Sequence, residues 1–317
     1  MSVQKPIVVV GSINTDLVAV THQIPSAGET VFGTDFQIHP GGKGANQAVA
    51  VARLGYPVRL IGRLGNDTFG AQLKNHLKSA GVDIAGVATC DGMSGTAVIV
   101  VSSQGENSIV VTPGANSKVT PQDLEAQIEI VRQAGIVLAQ LEIPLETVEY
   151  LASICAREGV PLILDPAPAR ELPGSIFKHI TWFTPNETEA TFFTDGARDS
   201  LTEPTPDETA RQILTKGSRG VLLKMGSHGA YLASQEGSGD FIPPFSVKAI
   251  DTTAAGDAFN GGFSTGLMLG KSPLESAYFA SAVAAISVTR QGAQPSLPTA
   301  SEVDCFLGEN NNIRVRV

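Results

Sequence analysis

An aspartate at the predicted start of a helix has the clearest potential for acid–base chemistry in this sequence. The segment Asp251–Asp257 places small residues directly before Asp257, and a stretch with helical periodicity follows it. Small residues at a helix start leave backbone N–H groups open to an anion, and the helix dipole adds positive charge there. Asp257 could then accept a proton from a hydroxyl that attacks a bound phosphate. Taken alone, an ordinary helix N-terminus is the simpler interpretation of this Gly-Asp pair.

Two segments near the N-terminus could bind a ligand that carries several hydroxyl groups. Gly41–Asn46 opens a predicted helix, and its glycines allow the backbone to approach a ligand closely. Asn46 offers both a donor and an acceptor. In open α/β sheets ligands bind beyond the carboxyl ends of strands, where Asn14 and Asp16 follow the first predicted strand. The alternatives are a glycine-rich loop with a solvated lysine and a polar turn.

Two further segments have residue types that suit a nucleotide and its metal ion. Asn186 and Glu189 share one face of a predicted helix start and could hold water around Mg²⁺, which binds oxygen ligands. The same spacing is also that of a capping box. Lys224–Gly229 follows a predicted strand and forms a glycine-containing turn, which suits contact with nucleotide phosphates.

Two other motifs resemble known catalytic patterns but lack the context that those patterns need. Gly262–Gly266 matches the G-x-S-x-G pattern of hydrolases, yet it lies within a helical stretch and the last histidine is His228. Gly266–Ser272 is one residue short of a P-loop and follows a helix. Ser264 is therefore interpreted as a small residue at a helix contact, and the five histidines show no metal-ligand spacing.

The elements that must position these residues alternate between strands and helices. Short apolar runs predict buried parallel strands, and amphipathic stretches such as 145–157 and 208–214 predict helices between them. This alternation indicates an α/β fold with a three-layer, doubly wound, mostly parallel sheet covered on both faces. The predicted strands are Ile7–Val10, Ile136–Leu138, Leu162–Leu164, Trp182–Phe183 and Val221–Leu223.

Two segments, about 13–41 and 94–113, have a looser alternation that predicts half-exposed antiparallel strands. Thr96–Val101 and Ser108–Thr112 flank a short polar turn and predict a β-hairpin. Together the segments could form a small sheet over one end of the core, either as a lid that excludes water or as an edge without a function. The chain is expected to be one domain, 1–317, whose C-terminal third is helical over about 256–269 and 273–289.

Composition narrows the class of protein. The chain has 317 residues, of which 42% are hydrophobic and 17% charged, which is typical of a globular protein. A net charge of −9 argues against nucleic acid or an anionic membrane as the main partner. The N-terminal apolar run is too short for a signal peptide. Cys90, Cys155 and Cys305 show no disulfide or zinc spacing, so we expect a cytoplasmic protein.

Together these segments resemble the ribokinase-type carbohydrate kinases over about residues 8–306. Gly41–Gln47 and Asp251–Asp257 match the signatures of this family in the right order and separation. Further matching segments are Gly28–Thr30, Asn186–Ala190, Asp165–Leu172 and Thr289–Ser296. The resemblance implies one α/β domain whose small sheet is both a lid and the interface of a homodimer.

The resemblance also implies a role for individual residues in catalysis and sugar binding. Asp257 matches the catalytic base, and the backbone of Ala254, Ala255 and Gly256 matches an anion hole. The residues that match the sugar site, with Asp257 beside them, are Asn14, Asp16, Gly42, Lys43, Asn46 and Glu142.

Two further sets match the nucleotide site and a site for a monovalent cation. Lys224 departs from the threonine of the family pattern. The nucleotide set is Asn186, Glu189, Lys224, Gly226, Ser227, Gly229, Gly256 and Ser281. In the cation set a main-chain carbonyl would serve at several positions, and its members are Asp251, Thr253, Ser287, Arg290, Gly292 and Ser296.

The expected reaction is the transfer of the γ-phosphoryl group of ATP, with Mg²⁺ and K⁺, to the 5-hydroxyl of D-ribose. Deoxyribose, fructose or a nucleoside such as adenosine is the alternative acceptor within the same family. A catalytically silent sugar-binding regulator is an alternative from another class, against which the intact Asp257 argues. A hydrolase is a third class, and the absence of a histidine after Ser264 argues against it.

Overall fold

A computed structural model describes residues 4–194 and 204–310. In these ranges, thirteen strands and eleven helices alternate along most of the chain. The strands are β1 (Ile7–Val10), β2 (Asn14–Thr21), β3 (Gly33–Gly41), β4 (Val58–Gly65), β5 (Asp83–Cys90), β6 (Gly95–Ser102), β7 (Asn107–Thr112), β8 (Ile136–Ala139), β9 (Leu162–Leu164), β10 (Trp182–Phe183), β11 (Gly220–Lys224), β12 (Ala230–Ser234) and β13 (Asp240–Ile242). The helices are α1 (Lys43–Arg53), α2 (Thr68–Ser79), α3 (Pro121–Ala126), α4 (Ile128–Arg132), α5 (Leu145–Glu158), α6 (Gly174–Phe177), α7 (Glu187–Phe193), α8 (Pro206–Leu214), α9 (Ala255–Met268), α10 (Pro273–Ser287) and α11 (Ala300–Glu309).

The larger sheet has β1 near its centre and nine strands in the described part of the chain, in the order β13-β12-β11-β10-β9-β8-β1-β4-β5. The strands from β11 to β5 pair in parallel, and β12 and β13 add an antiparallel edge. The predictions of a doubly wound, mostly parallel sheet and of its five apolar strands are confirmed.

Both faces of this sheet are covered, which explains the continuous apolar character of β1. Ile7 and Val9 pack into one core with α1, α2, α9, α10 and α11. Val8 and Val10 point to the opposite face and pack into a second core with helices α3 to α8. Since successive side chains of a strand point to opposite faces, a central strand between two helical layers must be apolar at every position.

The smaller sheet is built from the two segments in which half-exposed strands were expected. Its strand order is β3-β2-β6-β7. The outer pairs β2–β3 and β6–β7 are antiparallel, as predicted, whereas the central pair β2–β6 is parallel. The elements α1, β4, α2 and β5 lie between β3 and β6 and form a crossover long enough for a parallel pair.

The motif around Ser264 is helical, as expected. Ser264 is fully buried inside α9, and its hydroxyl donates to the carbonyl of Gly261 at 2.9 Å. Gly262 and Gly266 bring α10 close, because a Cβ at either position would lie 2.9 Å from an α10 backbone atom. In the part of the chain that the structure describes, no helix combines the length and apolar character needed to cross a membrane.

Candidate active site

The predicted site residues converge at one edge of the larger sheet. Four of them lie at the carboxyl end of a strand of this sheet or in the segment that follows it. Asn14 follows β1, Glu142 follows β8, Asn186 follows β10, and Lys224 is the last residue of β11. The start of α9 brings Asp257 to the same place, with Asn46 of α1 beside it at 2.9 Å. The edge therefore combines residues that are far apart in the sequence, as expected for a ligand site in an open α/β sheet.

Asp257 is a buried carboxylate in the first turn of α9, with an exposed fraction of only 5%. Its Oδ2 accepts a hydrogen bond from Asn46 Nδ2 at 2.9 Å, and its Oδ1 accepts from Gln47 Nε2 at 3.0 Å. Burial raises the pKa of Asp257 to about 6, opposed by Lys43 and assisted by Asp165. At neutral pH the group is an ionised base whose proton affinity is well above that of an ordinary aspartate.

The backbone before Asp257 is arranged to receive an anion. Ala254 has φ of 59° and ψ of 14°, and it is the only non-glycine residue with a positive φ among residues 4–194 and 204–310. A left-handed alanine is strained, and such strain accumulates at functional sites. Ala258 N donates to Ala254 O at 2.8 Å and Ala255 N donates to Thr252 O at 3.1 Å, while the N–H groups of Gly256 and Asp257 have no intrahelical acceptor. Those groups can bind a phosphate oxygen.

On the side of Asp257 toward the small sheet lies a cluster of charged residues. Burial raises the pKa of Asp16 to about 6, with further contributions from Glu142 and Asp257, while Lys43 lowers it. Burial disfavours the charged form of Lys43, but the carboxylates of Asp257, Asp165 and Glu142 outweigh it and hold its pKa above the usual value. The cluster is polar and partly enclosed, which suits a ligand with several hydroxyls.

The turn before α1 fixes the shape of this cluster. Gly42 has φ of 88°, and a Cβ there would lie 2.6 Å from the backbone nitrogen of Asn14, so glycine is required. Glu142 Oε2 accepts from Ser12 Oγ at 2.5 Å and from the backbone nitrogen of Lys43 at 3.3 Å. Asn14 Oδ1 accepts from Asn116 Nδ2 at 2.7 Å. These contacts fix the positions of Glu142, the Lys43 backbone and Asn14.

On the other side of Asp257 is a cleft of about 860 Å³. Lys224 Nζ lies 2.8 Å from Asp165 Oδ1, and both side chains are nearly buried. A Cβ built on Gly256 would lie 3.5 Å from the same ammonium nitrogen. Lys224 therefore places a positive charge next to the anion hole, where helix α9 also presents its positive end. The predicted residues Gly226, Ser227, Gly229 and Ser281 line the cleft, together with the apolar residues Phe245, Val247, Ala284, Ala285 and Val288.

Asn186 and Glu189 form a complete capping box at the start of α7. Glu189 N donates to Asn186 Oδ1, and Asn186 N donates to Glu189 Oε2, both at 2.8 Å. Burial raises the pKa of Glu189, against the effect of Lys224. The structure thus shows the capping alternative, and it also places this pair at the cleft. Among the described residues no cluster of three or more acidic, histidine or cysteine side chains is arranged for a metal. A Mg²⁺ ion that keeps its water and binds phosphates needs only one or two carboxylates, so the residues fit.

The six residues predicted for a monovalent cation lie in the loop before α9, at the last residue of α10 and in the segment that follows α10. Asp251 Oδ1 accepts from Thr253 N and Asp251 Oδ2 from Gly292 N, both at 2.8 Å. Burial opposes the ionisation of Asp251, but these hydrogen bonds outweigh it and lower its pKa. The hydroxyls of Ser287 and Ser296 are 2.8 Å apart. The guanidinium of Arg290 turns to Glu302 at 2.6 Å, so Arg290 can offer only its carbonyl. The oxygen-rich donor set fits a hard monovalent ion.

Several buried polar residues of the site were not predicted from the sequence. Asp165 and Gln47 lie within segments that match the family, but the sequence predicts no role for either of them. Gln294 Nε2 donates to Asn46 Oδ1 at 3.0 Å and fixes the orientation of that amide. A useful signal is a polar residue inside an otherwise apolar, fully buried stretch, as at Gln47 among the alanines and valines of α1.

The chain resembles known proteins along nearly its whole length. The family described as pfkB family carbohydrate kinase matches residues 4–300. Ribokinase of Haemophilus influenzae is 42% identical over 305 residues, covering 96% of this chain and 99% of the relative. Deoxyribokinase of Salmonella typhi is 35% identical over 307 residues, with coverages of 96% and 99%. The structure of Arabidopsis thaliana ribokinase complexed with ribose and ATP superposes with a TM-score of 0.88 at 36% identity, covering 96% of this chain and 98% of that one.

Proposed function

The chain belongs to the pfkB family of carbohydrate kinases, and we propose that it transfers the γ-phosphoryl group of ATP to the 5-hydroxyl of D-ribose. It is a phosphotransferase with an alcohol group as acceptor. The observation that carries the proposal is the position of Asp257, an ionisable base with a pKa of about 6, between a hydroxyl-binding cluster and an anion hole. Relatives named ribokinase, about 40% identical over most of the chain, support ribose as the acceptor.

In this mechanism, the sugar binds beneath the small sheet. Asp16 accepts hydrogen bonds from vicinal hydroxyls, and Asn14, Asn46 and Glu142 complete the set of polar partners. The small sheet acts as a lid that keeps water away from the transferring group. Asp257 takes the proton of the 5-hydroxyl as the hydroxyl oxygen attacks the γ-phosphorus in line. The bond from the γ-phosphorus to the β–γ bridging oxygen breaks, and ADP leaves.

The phosphate groups of ATP enter from the cleft on the other side of Asp257. The N–H groups of Ala254–Gly256 stabilise the charge that develops on the equatorial oxygens, and the Lys224 ammonium adds to this effect. Mg²⁺, when bound, neutralises charge on the phosphates, and Asn186 and Glu189 would hold its water. Gly226, Ser227 and Gly229 line the part of the cleft proposed for the phosphates. Ser281 lies beside the apolar residues of the cleft, which suit the flat adenine ring of ATP.

The acceptor specificity is tested by a panel of sugars. ADP release is compared for ribose, 2-deoxyribose, arabinose, xylose, fructose and adenosine as kcat/KM at saturating ATP and K⁺. Ribose should give the highest value, and 2-deoxyribose is the second candidate because relatives named deoxyribokinase are 35% identical. Fructose or adenosine exceeding ribose would contradict the proposed acceptor but not the kinase chemistry. Absence of any sugar-dependent ADP release would favour the silent regulator.

Activity should depend on pH through two carboxylates. Burial raises the pKa of both Asp16 and Asp257 to about 6, and both must be ionised for the proposed roles. We therefore expect kcat/KM for ribose to fall as the pH is lowered from about 7 to about 5, with a limiting logarithmic slope of about 2. In Asp16→Asn the slope should decrease to about 1. A slope of 1 in the unmodified protein would contradict the dependence on two groups.

We further propose that K⁺ activates the enzyme through the loops that carry Asp251 and Gly292. A cation bound there would hold the Ala254–Gly256 backbone in the geometry that donates to the phosphate, without touching the phosphate itself. Protein dialysed against a bulky organic cation should gain activity when K⁺ is titrated at fixed ionic strength. A flat response would contradict the proposal, and Na⁺ at equal concentration is the control for a general salt effect.

A homodimer through the small sheet and a cytoplasmic location complete the proposal. Strand register places Phe36, Ile38, Val98 and Val110 on the face opposite Asp16, where 46–63% of each side chain is exposed. Exposed apolar patches of this kind mark interaction surfaces, and a second copy would cover them. Sedimentation velocity of the protein and of a Phe36→Lys, Val110→Lys double variant tests whether the small sheet forms the dimer interface.

The proposed cytoplasmic location is supported by the cysteines. All three are free, in keeping with a reducing compartment.

A further inference from the structure

Gln47 is a fully buried glutamine next to the carboxylate of Asp257, and the mechanism above does not use it. Its Nε2 donates one hydrogen bond to Asp257 Oδ1 and one to Asp165 Oδ2, each at 3.0 Å. Its Oε1 accepts from Gln140 Nε2 at 2.7 Å. The exposed fraction of Gln47 is 0%. Both of its amide protons and its oxygen are therefore engaged with named partners.

The orientation of the Gln47 amide follows from hydrogen-bond chemistry. If the amide were reversed, its oxygen would face the acceptor oxygens of Asp165 and Asp257. Reversal would also direct the NH₂ group of Gln47 at the NH₂ group of Gln140. Only the observed orientation of the Gln47 amide lets it donate to both carboxylates and accept from the Gln140 NH₂ group. Gln140 therefore keeps the NH₂ group of Gln47 directed at Asp165 and Asp257.

Packing between two helices also fixes the position of Gln47. Gln47 lies on α1 and Asp257 on α9, and these helices are in close contact. A Cβ at Gly261, one turn beyond Asp257, would lie 2.5 Å from the Cβ of Ala50. Because the helices cannot approach further and the side chains are buried, the distance between the amide and the carboxylate is fixed by packing.

We propose that Gln47 is the positioning residue of Asp257, holding the plane of the carboxylate so that its free lone pairs face the acceptor hydroxyl. With Asn46 on Oδ2 and Gln47 on Oδ1, each carboxylate oxygen has one fixed donor. Gln47 also bridges Asp257 to Asp165, whose other oxygen is 2.8 Å from Lys224 Nζ. The Gln47 side chain thus connects Asp257 to the ion pair of Asp165 with Lys224, which lies at the cleft proposed for the phosphates of ATP. The inference rests on the proposed kinase function.

The pH profile distinguishes positioning of Asp257 from a merely structural role. Burial raises the pKa of Asp257, Lys43 of α1 lowers it, and Asp165 raises it, while the amides of Asn46 and Gln47 lower it. Asp16 of the small sheet is a further carboxylate whose charge acts on Asp257. Loss of the Gln47 donor should raise the pKa of Asp257 further. The acidic limb of the kcat profile should then move to higher pH.

The test is Gln47→Met, which keeps the unbranched shape and removes the donors. We expect kcat for ribose-dependent ADP release to fall roughly 10- to 100-fold, the scale of one lost hydrogen bond to a charged group. KM for ribose and ATP should stay within about threefold, because Gln47 touches neither ligand in the proposed mechanism. Gln140→Met should cause a smaller fall and the same direction of pH shift. The double variant should resemble Gln47→Met alone, since both act on one carboxylate.

Asn260→Leu is the matched control. Asn260 is another fully buried amide, three residues beyond Asp257 on α9, and in the part of the chain described here its side chain has no hydrogen-bond partner. This variant should leave kcat and the acidic limb unchanged, whatever its effect on the melting temperature. If the unmodified protein shows no ribose-dependent ADP release, the proposed function is overturned. If the unmodified protein is active and Gln47→Met has the same kcat and the same acidic limb, only this inference is overturned.

Discussion

Replacing Asp257 by asparagine is expected to lower kcat for ribose-dependent ADP release by about 10²- to 10⁴-fold, the usual contribution of a general base. Asparagine keeps the size of the side chain and loses the ability to accept the hydroxyl proton at neutral pH. It also retains one acceptor for the two amide donors of Asn46 and Gln47. Calorimetric dissociation constants for ribose and ADP should change only a few-fold. A variant with the kcat of the unmodified protein would show that Asp257 is not the base.

The same substitution should remove a loss of stability that the ligand-free protein undergoes between about pH 4 and pH 6. Burial raises the pKa of Asp257 from 3.8 to about 6, so the folded state binds the proton more tightly than the unfolded chain does. Stability is therefore lost as the pH rises from about 4 through 6, by at most roughly 3 kcal/mol from this group. The melting temperature of the variant relative to that of the unmodified protein should therefore rise as the pH is raised from about 4 to above 6, in addition to a constant offset from the amide donor that loses its acceptor. A difference that does not change with pH would contradict the burial penalty.

Replacing Asp16 by alanine should lower kcat/KM for ribose by about 10²- to 10⁴-fold. A hydrogen bond to a charged group contributes roughly 1.5–3 kcal/mol, and the proposed contact with two vicinal hydroxyls involves two of them. The loss should be smaller for 2-deoxyribose if its missing hydroxyl is one of the pair, because a site built for a hydroxyl rejects the analogue that lacks it. Steady-state kinetics on both sugars measures the difference.

Asp35→Ala is the control for Asp16→Ala. Asp35 is an exposed residue on β3 of the same small sheet, and within residues 4–194 and 204–310 its carboxylate accepts hydrogen bonds from its neighbours Phe36 and Gln37. Its removal should leave kcat/KM unchanged for every sugar. A fall for Asp35→Ala as large as for Asp16→Ala would mean that both substitutions act through the folding of the small sheet and not through the sugar.

The elements that could be predicted are those whose pattern depends on burial alone. Strands between two helical layers are apolar at every position, so β1, β8, β9, β10 and β11 were recognised. Strand β4 carries Arg59 and Arg63 among its apolar residues and was missed, because both side chains reach the surface and pair with acidic residues. The parallel pairing of β2 with β6 was also missed, since pairing direction depends on the crossover between them.

Site residues could be predicted from the sequence where the side chain itself would contact a ligand. Residues that only orient another side chain could not be predicted. Asp257, Asp16 and Asn46 lie in segments whose composition already suggests a ligand. Gln47 and Gln294 gain their importance from partners 210 and 248 residues away. A local pattern can mark such a residue, as the polar Gln47 stands out in the apolar stretch of α1, but it does not identify the distant partner. Asn186 and Glu189 present a different difficulty, because their spacing fits both a helix cap and a ligand site. In the structure the pair caps α7 and also lies at the cleft.

The sequence distance between Asn46 and Asp257 has a consequence for biosynthesis. Asn46 and the strands of the small sheet are made by residue 112, whereas α9 is made after residue 254. A growing chain can therefore assemble most of the sugar-side pocket while the base and the anion hole are still missing. We expect a ribosome-bound chain to remain incapable of hydrolysing or transferring phosphate until α9 docks against α1, since domains fold as units during synthesis. Catalytic competence is thus among the last properties that the newly made chain acquires.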